Sequence, residues 1–149
     1  MYGELSGAQR EHVLRTSTVG RLGCYEDRRP YVVPINYVYD GEHVYGYTRD
    51  GMKLRLMRAH PTVCLQVDQI EDITKWQSVI AWGTFEELHG DDAERAKNLL
   101  IGRFTPLLGG APIQRAHGMG GWGSHPPTWQ DAVLYRITLT EKTGRHETP

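Results

Sequence analysis

Apolar and polar residues alternate most regularly in the middle of the chain, where Val63, Leu65 and Val67 interleave with Cys64, Gln66 and Asp68. A two-residue period of this kind belongs to a β-strand with one face buried. The same period returns from Lys75 to Leu88, with Val79, Ala81 and Phe85 on one face and Ser78, Ile80 and Trp82 on the other. It returns again from Ala132 to Thr140, with Val133, Tyr135, Ile137 and Leu139 opposed to Arg136 and Thr138. Further strands are predicted over Thr18 to Tyr25 and Tyr31 to Tyr39, joined by the polar turn Glu26-Asp27-Arg28-Arg29-Pro30. Asp40-Gly41 then signals a hairpin into a strand from His43 to Thr48.

Three stretches follow a helical period instead. Ser6 to Thr16 is predicted helical with Ser6 as its cap. Leu54 and Met57 mark a short helix from Met52 to Ala59, which Pro61 ends by disfavouring helical geometry at His60. Asp91 and Glu94 resemble a capping box ahead of Ala93, Ala96, Leu100 and Phe104, which share one helical face. Thr105 to Asp131 is rich in Gly and Pro and predicts a long loop, of the kind that is functional or disordered in compact domains. Six strands with few helices between them favour a mainly β fold, an antiparallel barrel with peripheral helices, over a doubly wound sheet. The 149 residues are expected to form one domain, 1–149.

Composition narrows the chemistry. A formal net charge of −1 gives no general attraction to nucleic acid or to an anionic membrane. The first residues, with Glu4, Arg10, Glu11 and His12 and no long apolar stretch, predict neither a signal peptide nor a spanning helix, so a cytoplasmic location is expected. Cys24 and Cys64 each sit in an apolar run and are expected in the core, free of any disulfide. The seven histidines offer no ligand spacing, and no metal site is expected. Gly118-Met119-Gly120-Gly121-Trp122-Gly123 matches a dinucleotide pattern by letter. It lacks the preceding strand and following helix that pattern needs, and reads as a flexible loop. Ser124-His125 likewise lacks a nucleophile elbow.

Two places attract a ligand on chemical grounds. Pro34 interrupts a strand that must therefore lie at an edge or a bulge, leaving the peptide groups of Val33 to Asn36 available to a flat heterocycle or simply to solvent. Further on, Tyr47-Thr48 ends a strand, and Arg49 and Lys53 flank Gly51 where a helix begins. That set suits a dianionic phosphate, or else forms a solvated basic turn.

Several blocks together resemble the pyridoxamine 5'-phosphate oxidase-related flavin proteins. They are Val19-Gly20-Arg21-Leu22, the run Pro30 to Tyr37, Tyr47-Thr48, Lys53-Leu54, Pro61 to Leu65, Trp76 to Val79, Tyr135-Arg136-Ile137 and Thr143-Gly144-Arg145. The resemblance implies a six-stranded antiparallel split β-barrel, a homodimer, and FMN bound between its subunits, in the flavin-nucleotide-binding or nitroimidazole-resistance-like branch. By position, Val33, Pro34, Ile35 and Asn36 would line the ring, and Tyr47, Thr48 and Lys53, with Arg49 nearby, would hold the phosphate. Ser78 falls where the family turns a polar side chain toward the flavin, Trp76 lies near it or packs the barrel, and Lys142 is near a C-terminal contact. The oxidases proper grip their substrate phosphate with an Arg and a His two residues apart. Here Arg145 and His146 are adjacent, so on a strand they point to opposite faces. The expectation is an FMN-dependent oxidoreductase with a small-molecule electron donor and acceptor, and with no catalytic acid or base assignable from sequence. The alternatives are a flavin carrier or sensor, and a deazaflavin (F420) reductase.

Overall fold

The computed structural model describes residues 1–108, 129 and 131–149. Along the chain run β1 (Tyr2–Glu4), α1 (Gly7–Thr16), β2 (Val19–Glu26), β3 (Arg29–Asn36), β4 (Val38–Tyr39), β5 (His43–Thr48), α2 (Met52–Ala59), β6 (Thr62–Asp72), β7 (Lys75–Glu87), α3 (Gly90–Leu108) and β8 (Val133–Glu147). Six long antiparallel strands thus appear as expected, joined by the two short strands β1 and β4.

One eight-stranded sheet holds them in the order β3-β2-β6-β7-β8-β5-β4, with β1 added to β8. The two ends of this order, β3 and β4, are consecutive in the chain, separated only by Tyr37, so the sheet curls round on itself. Tyr37 is fully buried at that seam, its N–H donating to Thr18 O at 3.2 Å and its hydroxyl to Leu14 O at 2.7 Å. Burial alternates as the pattern predicts: Val63, Leu65, Val67, Val79, Ala81 and Phe85 face inward. All of these but Ala81 pack with Leu14 of α1 and Leu54 and Met57 of α2 into the main core. A second cluster lies outside the barrel, where Ala96, Leu100 and Phe104 of α3 cover Tyr45 and Leu134.

Local chemistry explains the element ends. Ser6 caps α1, accepting from Gln9 N at 3.2 Å while Gln9 Oε1 accepts from Ser6 N at 2.7 Å. At the hairpin, Gly41 has φ 104°, and Asp40 accepts from the N–H groups of Glu42 and His43. Asp91 lies inside the first turn of α3 and not at its cap, because the helix begins at Gly90, whose φ of 58° suits glycine. That helix also runs past Thr105 and through Pro106 to Leu108, beyond its predicted end.

β8 departs furthest from its prediction, continuing from Thr140 to Glu147. Its register against β7 pairs Gly83 with Leu139 but Trp82 with Glu141, so Thr140 is an extra, bulged residue whose hydroxyl donates to Trp82 O at 3.2 Å. Before the bulge Tyr135 and Ile137 point inward; after it Lys142, Gly144 and His146 do, aligned with the inward Ala81, Val79 and Gln77. Arg145 therefore faces out while His146 faces in, as adjacent strand positions require.

Candidate functional site

Lys53 stands in the first turn of α2, whose N-terminal Gly51 is extended and provides no side-chain cap. Among the described residues no side chain caps the opening N–H groups of this helix. The Lys53 side chain is half-buried beside Cys24 of β2, and burial lowers its pKa, an effect that Cys24 partly offsets. Burial also pushes the Cys24 thiol up to about 11, so Cys24 is a neutral neighbour at physiological pH. No carboxylate pairs with the Lys53 ammonium among the described residues. A partly desolvated ammonium without a counter-ion, at an uncapped helix start, is a site for an anion.

The neighbouring predicted residues end β5. Thr48 Oγ1 donates to Arg49 O at 2.9 Å, and the Arg49 side chain is exposed. Tyr47 stacks at a tilt on Trp129, with ring centroids 5.2 Å apart, and burial raises its phenol pKa against the pull of Arg49.

Val33 to Asn36 lie on β3, at one end of the sheet order, with Pro34 opposite Arg21 and Ile35 opposite Gly20. Ile35 is buried, Val33 and Asn36 are half-buried and Pro34 is exposed, so Pro34 lies on the outer face as an edge strand allows. Lys53 is brought near this strand through Cys24, whose partner in β3 is Tyr31.

Ser78 and Trp76 lie elsewhere. Both are on the outer face of β7, three strand spacings from β3, or roughly 14 Å. Trp76 is half-buried with its ring against Tyr2, centroids 6.2 Å apart, so it packs on the outside of the sheet and not in the core. Ser78 accepts from Gln66 Nε2 at 3.0 Å. The same nitrogen lies 3.0 Å from Asp68 Oδ2, which also accepts from Arg21 at 3.3 Å. These three polar partners went unassigned in the sequence. Their one signal was that Gln66 and Asp68 share the polar face of the most regular strand.

Lys142 belongs to a third region, inside the barrel end. Its ammonium donates to Glu11 Oε1 at 2.5 Å and to the Tyr39 hydroxyl at 2.9 Å, and it lies 5.5 Å from the Tyr39 ring centroid. Cys64 corrects an expectation: it is half-buried on the outer face, not in the core. With Gly23, Val32 and Trp82 it lines a groove of about 290 Å³. Both cysteines are free. Gly118 to Gly123 and Ser124-His125 lie outside the described residues. Among the described residues no three His, Cys, Asp or Glu side chains gather as metal ligands, and no helix is long and apolar enough to cross a membrane.

Comparison with known proteins agrees with this architecture. Residues 6–146 match the pyridoxamine 5'-phosphate oxidase family. An uncharacterised protein of Rhizobium meliloti is 33% identical over 84 residues, which is 56% of each chain, so the chain spans about half the length of this curated relative. The crystal structure of an FAD-binding protein of Mesorhizobium loti superposes with a TM-score of 0.80 at 28% identity, covering 99% of both chains. The FAD binding protein of Mycobacterium smegmatis shares the fold, with a TM-score of 0.66 at 21% identity and 98% coverage of both. A mainly β, antiparallel split barrel and a match over nearly its whole length place this chain in the pyridoxamine 5'-phosphate oxidase family.

Proposed function

We propose that this protein binds FMN and acts as a flavin-dependent oxidoreductase, with two copies of the chain forming each flavin site. The observation that carries this reading is the half-buried Lys53 ammonium without an anionic partner among the described residues. One such cation, with Arg49 four residues before it in the chain and an uncapped helix start behind it, suits a single terminal phosphate. The FAD-binding relative of 28% identity supports a flavin. One cation cluster for one terminal phosphate favours FMN over a dinucleotide.

When bound, the flavin would supply the electron transfer. The chain's own part is to hold and orient it. The peptide groups of Val33 to Asn36 at the edge strand would meet the ring, Lys53, Thr48 and Arg49 the phosphate, and Tyr47 the stem between them. Trp76 and Ser78 lie too far from β3 to touch the same ring within one chain. A second copy laid on the outer sheet face would bring them to it, and Val32 and Ile80, both exposed there, need such cover. Lys142 would serve this site only by giving up Glu11. Arg145 and His146, on opposite faces, argue against gripping a substrate phosphate in the manner of the oxidases proper.

The test is direct. The purified protein should be yellow, dimeric by light scattering at micromolar concentration, and release FMN rather than FAD on acid treatment. Lys53→Ala should weaken FMN binding by roughly 10- to 150-fold, the loss of one charged hydrogen bond of about 1.5–3 kcal/mol, and leave riboflavin binding nearly unchanged. A reduced pyridine nucleotide should bleach the flavin. Flavin that stays oxidised with every donor would make the protein a carrier, and colourless protein that quenches no added flavin would overturn the proposal.

A further inference from the structure

Four side chains on the outer face of the sheet are joined by hydrogen bonds across three strands. The register sets Arg21 of β2 opposite Gln66 of β6, and Asp68 of β6 opposite Ser78 of β7. Arg21 donates to Asp68 Oδ2 at 3.3 Å, and Gln66 Nε2 lies 3.0 Å from both Asp68 Oδ2 and Ser78 Oγ.

The donor and acceptor roles in this chain are fixed by chemistry. A carboxylate only accepts, so the Gln66 amide must turn its nitrogen, and not its oxygen, toward Asp68. That nitrogen carries two protons and no available lone pair. One proton goes to Asp68 and the other to Ser78, which therefore accepts. The serine's own proton cannot return to the Gln66 nitrogen, and it is donated to no protein group among the described residues. It is available to a group lying on the sheet, beside the uncommitted Gln66 carbonyl.

We infer that Arg21, Asp68 and Gln66 are positioning residues that hold the Ser78 hydroxyl as a hydrogen-bond donor to the flavin ring. The inference rests on the reading that a flavin lies against this face. A donor aimed at a ring atom that gains negative charge on reduction stabilises the reduced form more than the oxidised one. Without Gln66 to donate to both Asp68 and Ser78, the serine is free to donate to the carboxylate of Asp68, its direct cross-strand neighbour, and turns away from the ring.

The experiment measures the flavin reduction potential, against reference dyes, in the flavin-loaded wild type, Ser78→Ala, Gln66→Leu and the double variant. Each single variant should favour reduced flavin roughly tenfold less, a fall of about 30 mV for a two-electron couple. The double variant should fall by the same amount and not by twice as much, because both changes remove one hydrogen bond. Arg21→Met, at an exposed side chain that folding tolerates, should lower the potential in the same direction by less, and carries the test if Gln66→Leu fails to fold. An unchanged potential in Gln66→Leu and Arg21→Met, or additive shifts in the double variant, would overturn the relay while leaving flavin binding intact. A wild type that takes up no flavin would overturn the flavin reading and the relay together.

Discussion

Gly46 and Tyr135 face each other across the β5–β8 ladder, and the tyrosine occupies the space where a side chain on Gly46 would begin. A Cβ built on Gly46 would lie 2.5 Å from the Tyr135 hydroxyl oxygen and 2.6 Å from the ring carbon that bears it. The ring thus fills the gap left by the glycine, and the barrel wall is continuous at a point where one strand has no side chain. Gly46→Ala forces the fully buried ring to move, and should cost about 1–3 kcal/mol in urea unfolding.

The same tyrosine yields an opposite expectation. Its hydroxyl is buried with no hydrogen-bond partner among the described residues, and burial raises its pKa. Tyr135→Phe removes a desolvated polar group and little volume. The variant should be at least as stable as the parent, by up to about 1 kcal/mol, where a hydrogen-bonded tyrosine would show a loss.

Lys53 should destabilise the protein until an anion arrives. Its folded pKa is lowered from 10.5 by burial, so between the folded value and 10.5 the unfolded chain binds more protons and stability rises with pH. Below the folded value the penalty is complete. Apo Lys53→Met should therefore melt higher than apo wild type at pH 7, at roughly 2–4 °C per kcal/mol, with the difference narrowing as pH approaches 10.5. Saturating FMN should reverse the order, which differential scanning fluorimetry would show.

The cluster of Glu11, Tyr39 and Lys142 ties α1 to the seam and to β8. Burial works against the charge of Glu11, but hydrogen bonds to Lys142 and Tyr39 and the positive charges of Lys142 and Arg15 outweigh it, so its pKa lies below 4.5. Its stabilisation is present above pH 4.5 and is lost as pH falls through the folded value. Burial also opposes the Lys142 charge and is outweighed by Glu11 and Tyr39, so that stabilisation is lost only as pH rises past 10.5. Glu11→Ala should cost about 1–2 kcal/mol at pH 7, limited because a third of the glutamate remains in water. The cost should shrink in acid.

Thiol labelling separates the two faces of β2 and β6. Cys24 is 5% exposed with a thiol pKa of about 11, and should stay unreactive until the chain unfolds. Cys64 lines the outer groove and should react in dilute protein, more slowly as protein concentration rises and a second copy covers that face. A labelling rate independent of concentration would argue that the interface lies elsewhere.

Most of this architecture could be read from residues alone where one chemical signal dominated. Asp40-Gly41 and Pro61 gave β5 and α2 their observed limits, because a turn and a helix stop are local events. The end of β8 was hidden because its inward positions are Lys142, Gly144 and His146, so no apolar alternation marks them. α3 outran its prediction although Pro106 removes the helical hydrogen bond to the Gly102 carbonyl, because packing of its apolar face through Phe104 carries the helix on. Lys53 was found from its place at a helix start. The group around Ser78 was not, because it depends on the register of β2, β6 and β7, and a one-residue slip in any of them would disperse it.

Thr140 works as a phase shift. Upstream of it β8 keeps odd-numbered residues inside, downstream even-numbered ones, because the extra residue takes a place in the strand without taking a partner in β7. Were Thr140 instead paired with Trp82, every later residue would slide one place along β7: Arg145 would be driven inward opposite Gln77 and His146 would stand on the outer face opposite Trp76, while Glu4 would lose its ion pair with Arg145. Which of two adjacent basic residues this surface presents is thus decided by whether Thr140, five residues before the first of them, bulges or pairs. A strand that bulges Thr140 and one that pairs it would carry different outer faces with identical side chains.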